Sequence, residues 1–166
     1  DEVIRRHSPA VPITTNFMTM SQFRFLDYHD WAPHQDVVST DHYVVNSLEH
    51  PQAELSFHGD LTRGLAGRRP WMLMEHSTSA VNWQHVNPAK VPGGTILDSL
   101  AHVARGADTL GFFQWRQSRS GSEKFHSALV PHAGEDSDRF REVCELGAIA
   151  DRLGEILGSR VDADVA

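Results

Sequence analysis

The sequence predicts an α/β fold with four strand-then-helix units, which corresponds to half of a (β/α)8 TIM barrel. Short apolar runs alternate with amphipathic stretches along the 166 residues, as strands alternating with helices would produce. Helices between consecutive strands indicate a parallel sheet, because parallel neighbours need long crossover connections. A complete eight-unit barrel takes roughly 250 residues, so 166 residues with four units predict a half-barrel.

Four short runs predict the strands. They are residues 12–17, 36–40, 71–74 and 109–115. The first run is brief and β-branched, and the third consists only of large apolar residues, as expected for short buried strands.

Four amphipathic stretches predict the helices, because their apolar residues recur at intervals of three and four. These helices cover 20–28, 52–64, 95–105, and a last stretch from a cap at Asp136 or Ser137 to Gly158. Glycine ends three of them, at Gly64, Gly106 and Gly158, which favours helix termination.

An open, doubly wound sheet is the alternative architecture. That fold favours a glycine-rich phosphate-binding turn after its first strand, and residues 14–18 contain no glycine. No internal repeat or linker is present, so the chain is predicted to be one domain or part of one. Residues 1–6 have the pattern of the middle of a helix and lack an initiator Met, so we expect further sequence upstream.

The composition limits the classes of partner. A formal net charge of −7 with scattered Lys and Arg argues against nucleic acid. No run approaches the ~18 apolar residues of a membrane span, which argues against a membrane partner. The single cysteine, Cys144, lies in a helical pattern and is predicted to be a core thiol. Since one cysteine cannot form an internal disulfide, we expect a reducing, cytoplasmic compartment.

Glu75 is the first candidate for chemistry. It follows directly on the apolar run 71–74, and a carboxylate does not continue a buried strand without a partner or a task. The carboxyl ends of barrel strands carry catalytic residues, so Glu75 is predicted to be catalytic. The alternative is a Glu that caps the next turn or faces water.

Several longer blocks of sequence resemble the β-galactosidases of glycoside hydrolase family 42. These blocks are residues 12–18, 36–39, 73–84, 104–116, 118–127 and 130–134. The similarity spans nearly the whole chain, from about 12 to 165, and it implies strands five to eight and the last helix of that family's barrel. Residues 1–166 would then be part of a catalytic barrel domain.

The resemblance implies retaining hydrolysis of terminal β-D-galactosides, with Glu75 as the nucleophile. Such a mechanism needs a second carboxyl group, and the family's acid/base would lie upstream of Asp1. The implied partners are a β-galactoside, the upstream half-barrel and further copies of the full-length protein in a trimer. No cofactor is implied.

Five further residues are implied to bind substrate. Trp83 and Phe113 would form an apolar platform for a sugar face, and Glu123 and His126 would bind galactose hydroxyls. Tyr43 follows the second strand and would hydrogen-bond Glu75 from the adjacent strand end.

Some of these residues have other interpretations. Phe113 and Trp115 alternate along the fourth predicted strand and could both be core residues, which we favour for Trp115. The Glu-x-x-His spacing of Glu123 and His126 suggests a metal, but such pairs are normally used twice in one site and there is no second copy. The 11 histidines are too dispersed in sequence to predict a ligand set, so no metal is expected.

Two other functions remain open at this point. The chain could be a non-catalytic sugar-binding or assembly half-barrel, which an upstream Asn-Glu at a strand end would argue against. A phosphate-binding barrel would use glycine-rich loops after the last strands. Gly93, Gly94 and Gly121 are present, but Glu123 would repel a phosphate.

Overall fold

The computed structural model of the chain describes residues 2–19 and 25–163, and its centre is a four-stranded parallel sheet. The strands are β1 (Asn16–Phe17), β2 (Ser39–Asp41), β3 (Trp71–Glu75) and β4 (Ala107–Leu110). Each pairs with the next along the chain, in the order β1-β2-β3-β4. A doubly wound sheet would reverse this order at a switch point, and the four described strands show no reversal.

Helices connect or flank these strands. They are α1 (Glu2–His7), α2 (Tyr28–Trp31), α3 (Pro51–Leu65), α4 (Gly94–Val103) and α5 (Asp138–Ala150). Two 3₁₀ segments, Ala32–His34 and Asp151–Ile156, extend α2 and α5. None of the helices in the described residues is long and apolar enough to cross a membrane.

The core lies between the sheet and its helices. Phe17 of β1 and Trp71 and Leu73 of β3 are at most 1% exposed, and they pack with smaller buried residues of β4 and α3. Phe17 stacks on Tyr28 with ring centroids 4.4 Å apart. The indole N–H of Trp71 donates to the Arg105 carbonyl at 3.0 Å, which satisfies its polar atom inside the core.

The first predicted helix is only partly testable. Residues 20–24 of the predicted helix 20–28 lie outside the described residues. The described part differs from the prediction, because Asp27 accepts hydrogen bonds from the amides of His29 and Asp30 and so caps a helix that begins at Tyr28. Phe25 and Leu26 therefore precede the helix.

Other boundaries also differ. The second strand begins at Ser39 because Asp36 instead accepts a hydrogen bond from the Ile13 amide at 2.7 Å. The predicted strand 109–115 ends at Leu110. The predicted core thiol of Cys144 is wrong, since that side chain is exposed on α5.

Gly111 explains the early end of β4. Its amide donates to the Leu73 carbonyl at 2.7 Å, which brings the backbone very close to β3. A Cβ atom at this position would lie 2.2 Å from the Met74 carbonyl oxygen, so only glycine fits without displacement. The chain then leaves the sheet and forms the long connection that reaches α5.

Candidate active site

The candidate site lies at the carboxyl ends of β2 and β3. Glu75 is the last residue of β3 and is partly exposed. The hydroxyl of Tyr43, which is 5% exposed, donates to Glu75 Oε2 at 2.6 Å. Burial and the hydrogen bond to Glu75 raise the pKa of Tyr43 far above its usual range, so Tyr43 stays a proton donor to this carboxylate.

Aromatic rings surround this pair. Trp83 and His126 each meet Tyr43 edge to face, with centroids 5.4 and 5.7 Å away, and Phe113 meets His126 at 5.0 Å. Trp83 is 48% exposed and Phe113 is partly exposed, so both keep free surface beside the carboxylate. The structure thus brings distant parts of the chain together around Tyr43.

Glu123 and His126 offer hydrogen-bond acceptors to this space. His126 Nδ1 donates to the Ser127 carbonyl at 2.9 Å, so its Nε2 carries a lone pair. Within residues 2–19 and 25–163, His126 Nε2 and Glu123 Oε2 are both buried without a hydrogen-bond partner. The charge of Glu123 contributes to raising the pKa of Tyr43.

Asp41 is a site residue that the sequence prediction missed. It is 3% exposed, its Oδ2 accepts a hydrogen bond from the Asn16 side chain at 2.5 Å, and its Cα pairs with that of Glu75. Burial raises the pKa of Asp41 to about 6; the bond from Asn16 opposes this and the charge of Glu75 adds to it. The available signal was its position: it directly follows the predicted strand 36–40 and lies two residues before Tyr43.

Three histidines that lie far apart in the sequence are close together in the structure. His42, His58 and His102 are fully buried between β2, α3 and α4, with ligand atoms all within 4.8 Å of one another. They form the single group of three or more potential metal-ligating side chains in the described part of the chain, and Glu123 and His126 do not belong to it. Separations of 16 and 44 residues give no local pattern, so only the packing of the helices brings the three together.

The interpretation of Trp115 as a core residue was also wrong. Its side chain is 71% exposed, because the chain has left the sheet at Gly111. Its backbone carbonyl accepts from the Val130 amide at 2.8 Å, next to an isolated parallel bridge between Arg116 and Val130. Phe113 and Trp115 therefore do not share a strand face, and only Phe113 contacts the site.

A family model described as beta-galactosidase, glycoside hydrolase family 42, matches residues 1–153. The chain belongs to glycoside hydrolase family 42. A beta-galactosidase from Arthrobacter sp. is 56% identical over 164 residues, which cover 99% of this chain and 24% of that protein. Beta-galactosidase BbgII from Bifidobacterium bifidum is 49% identical over 154 residues, covering 93% of this chain and 22% of that protein.

Solved structures of family 42 members show the same architecture. Gan42B, a family 42 beta-galactosidase from G. stearothermophilus, superimposes with a TM-score of 0.91 at 39% identity, over 97% of this chain and 25% of its own. A beta-galactosidase from Bacillus circulans sp. alkalophilus superimposes with a TM-score of 0.87 at 41% identity. The match covers 95% of this chain and 23% of that protein. The family and the parallel α/β barrel architecture predicted from sequence are confirmed. The chain spans about a quarter of the length of the relatives that it matches.

Proposed function

We propose that the full-length protein carrying this chain is a retaining β-galactosidase in which Glu75 is the nucleophile. The observation that carries the proposal is the 2.6 Å hydrogen bond from Tyr43 to Glu75 at adjacent strand ends. Barrel enzymes place their chemistry at this end of the sheet. The beta-galactosidase names of the family 42 relatives supply the substrate class.

In the proposed first step, one oxygen of Glu75 attacks the anomeric carbon while the bond from that carbon to the leaving oxygen breaks. A second carboxyl group, about 5–5.5 Å away in retaining enzymes, gives its proton to the leaving oxygen. Water then releases galactose from Glu75 with the same second group as base. We assign this second group to the part of the protein that precedes Asp1.

Tyr43 has a distinct role in this scheme. Its O–H points at Oε2 of Glu75, which leaves Oε1 as the attacking atom. A charge-assisted hydrogen bond of this length fixes the carboxylate in one orientation. Reaction requires such fixed geometry, because the reacting atoms must approach to about 3–3.5 Å.

Recognition of galactose is assigned to the surrounding residues. The lone pair of His126 Nε2 and the free oxygen of Glu123 accept hydrogen bonds from sugar hydroxyls, and this would satisfy two buried polar atoms that have no partner in the described chain. The free faces of Trp83 and Phe113 pack on the C–H faces of the sugar.

We also propose that residues 1–166 are the strands five to eight of a barrel whose other half precedes them. β4 pairs only with β3 within the described sheet, and an apolar groove of about 520 Å³ runs beside it. The groove is lined by residues that include Leu100, Val103, Leu110, Leu146 and Leu153. An additional strand with its helix would cover this surface. A cytoplasmic trimer remains our proposal for the full-length protein.

The deciding experiment is covalent trapping. The full-length protein is treated with 2-deoxy-2-fluoro-β-galactosyl fluoride, which forms the glycosyl-enzyme but releases the sugar slowly, and the labelled peptide is sequenced by mass spectrometry. Stoichiometric label on Glu75 is expected. Glu75→Gln should take up no label, and Glu49→Gln, at an exposed glutamate, should be labelled like the wild type. Label on another carboxylate, or an inverted product, would refute the assignment.

A further inference from the structure

A closed circuit of buried polar groups lies behind the strand ends that carry Tyr43 and Glu75. We call it the polar network, and its members are His42, His76, Lys90, Asp98 and His102, each at most 5% exposed. His42 Nδ1 lies 2.8 Å from His102 Nε2, and His102 Nδ1 lies 2.7 Å from the Asp98 carbonyl. The Asp98 carboxylate pairs with Lys90 at 2.9 Å, and Lys90 Nζ lies 3.2 Å from His76 Nε2. His76 Nδ1 lies 3.1 Å from the His42 carbonyl, which closes the circuit.

The partners fix where the protons lie. His102 Nδ1 faces a carbonyl and must be the donor, so His102 Nε2 accepts a hydrogen bond from His42 Nδ1. His76 Nδ1 likewise donates to a carbonyl, and its Nε2 accepts from the Lys90 ammonium. Burial lowers the pKa of His76 well below its usual range and that of His102 to about 3, so both rings are neutral, as these bonds require.

The remaining nitrogen of His42 connects the network to the surface of α3. His42 Nε2 lies 2.9 Å from Glu54 Oε2, and the Glu54 side chain is 30% exposed. Because His42 Nδ1 already donates to His102, a second proton must lie between Nε2 and the carboxylate; without it two acceptors would face each other. His42 is therefore hydrogen-bonded on both sides, which holds its ring in a single orientation.

Geometry excludes a metal ion between these histidines as they are placed. The rings of His42 and His58 stack with centroids 3.9 Å apart and an interplanar angle of 12°. Ring lone pairs lie in the ring plane, so two stacked rings cannot direct them at one ion about 2.0–2.1 Å from each nitrogen. The 2.8 Å contact between His42 and His102 is a hydrogen bond. His42 and His102 are therefore donor and acceptor to each other, and His58 Nε2 lies 3.3 Å from the Thr40 hydroxyl.

The network holds the two strand ends against each other. The His42 amide donates to the Glu75 carbonyl at 2.9 Å, and the His76 side chain donates to the His42 carbonyl. His42 immediately precedes Tyr43, and His76 immediately follows Glu75. Both neighbours of the Tyr43–Glu75 pair are thereby fixed from the side opposite to the candidate site.

We propose that His42 is a positioning residue for the nucleophile: through Glu54 and the polar network it holds Tyr43 and Glu75 in the orientation needed for attack. This inference rests on the proposed function of Glu75. It predicts that a change at Glu54, which is outside the candidate site, slows the attack by Glu75 without weakening sugar binding.

The test compares three variants of the full-length protein. Glu54→Ala removes the partner of His42 Nε2, whereas Glu54→Gln keeps a donor that can bond a neutral His42. Glu49→Gln is the matched control, because Glu49 pairs with His50 in an exposed contact at 3.7 Å. For each protein, the rate of trapping by 2-deoxy-2-fluoro-β-galactosyl fluoride at saturation and the inhibitor concentration giving half that rate are measured, together with the thermal midpoint.

We expect Glu54→Ala to lower the saturating trapping rate at least fivefold while the half-saturating concentration stays within twofold. Glu54→Gln should restore the rate to within twofold of the wild type, and Glu49→Gln should leave it unchanged. An unchanged rate in Glu54→Ala, or a Glu54→Gln variant as slow as Glu54→Ala, would refute the positioning role. Failure of the wild type to label Glu75 would refute the proposed function instead, so the two failures are distinct.

Discussion

Asp41 and Glu75 are paired residues of the parallel strands β2 and β3, so two carboxyl groups lie side by side at the strand ends. They differ in environment. Asp41 is buried and hydrogen-bonded by Asn16, whereas Glu75 is partly exposed and bonded by Tyr43. Burial raises the pKa of Asp41 to about 6, so this carboxyl group carries a proton at pH values at which an ordinary aspartate has lost it.

The first prediction is that Asp41→Asn stabilises the protein above pH 6. The folded pKa of Asp41, about 6, lies above the ordinary value of 3.8, so folding holds its proton more tightly and stability falls as pH rises between these values. An Asn side chain does not ionise, so the variant does not lose stability as pH rises, and its amide oxygen still accepts the bond from Asn16. We expect a gain of about 1–3 kcal/mol at pH 7.5 and almost none at pH 4, measured as the pH dependence of the thermal midpoint.

Asp36→Asn is the control of opposite sign. The Ile13 amide lowers the pKa of Asp36, with a further contribution from Arg5, so its charged form stabilises the fold above its ordinary pKa of 3.8. The thermal midpoint of Asp36→Asn should therefore fall, relative to the wild type, as pH rises towards about 4, and the deficit should stay constant at higher pH. If Asp41→Asn followed the same course, the burial argument would be wrong.

The second prediction concerns the nucleophile. Glu75→Gln keeps the size of the side chain but removes the attacking charge, so turnover of an aryl β-galactoside should fall at least about a thousandfold, or ~4 kcal/mol of barrier. Added azide or formate should restore part of the rate, and with azide the product should be the α-configured galactosyl azide. Retention of more than about a tenth of the wild-type turnover would exclude Glu75 as the nucleophile.

The third prediction isolates the hydrogen bond to the nucleophile. Tyr43→Phe removes the 2.6 Å bond but keeps the ring that contacts Trp83 and His126. A hydrogen bond to a charged group contributes about 1.5–3 kcal/mol, so kcat/KM should fall about 10–150-fold. Tyr28→Phe is the control, because the Tyr28 hydroxyl bonds the Met18 backbone away from Glu75, and it should change kcat/KM less than about twofold. If Tyr43→Phe and Tyr28→Phe lowered kcat/KM equally, the cause would be a general loss of packing and not the bond to Glu75.

The fourth prediction is that Glu123 and His126 bind sugar rather than metal. Glu123→Ala removes a charge-assisted acceptor and should lower kcat/KM for galactosides about 10–150-fold. Glu135→Ala, at an exposed glutamate of the same long connection, should have no effect. Dialysis of the wild type against a chelator should leave the Glu123 effect unchanged. A metal bound stoichiometrically by Glu123 and His126 would contradict this prediction.

The fifth prediction is that residues 1–166 alone show no glycosidase activity and aggregate. β1 and β4 each pair on only one side within the described sheet, and unpaired edges promote association. The apolar groove beside β4 adds exposed surface of the same kind. Activity should appear when a separately produced upstream half is mixed in. A monomer that hydrolyses an aryl β-galactoside unaided would contradict the half-barrel proposal.

Local patterns predicted some parts of this molecule well. The predicted strand 71–74 corresponds to β3, whose observed end at Glu75 differs from the predicted end by one residue. The prediction succeeds because a short apolar run has few other ways to be buried. The predicted helix 95–105 became α4, which begins at Gly94 and ends at Val103. The grouping of Tyr43, Trp83, Phe113, Glu123 and His126 came from family resemblance, since no local spacing connects them.

Features set by tertiary packing were not predictable in the same way. Of the three buried histidines, His42 directly follows β2 and the other two lie in α3 and α4, so they meet only through the packing of these elements. Trp115 became exposed because a close backbone contact at Gly111 ends β4 early. The raised pKa of Asp41 depends on burial beneath neighbouring strands, which a pattern of residue types does not encode.

The close contact at Gly111 connects two parts of the candidate site. The carbonyl that a Cβ atom would strike belongs to Met74, the residue before Glu75, while the chain after Gly111 leads to Phe113, Glu123 and His126. A side chain at this position would displace Glu75 and the segment that carries Phe113, Glu123 and His126 at the same time. Under the proposed function, a single substitution at Gly111 would therefore disturb both the nucleophile and the residues assigned to sugar binding.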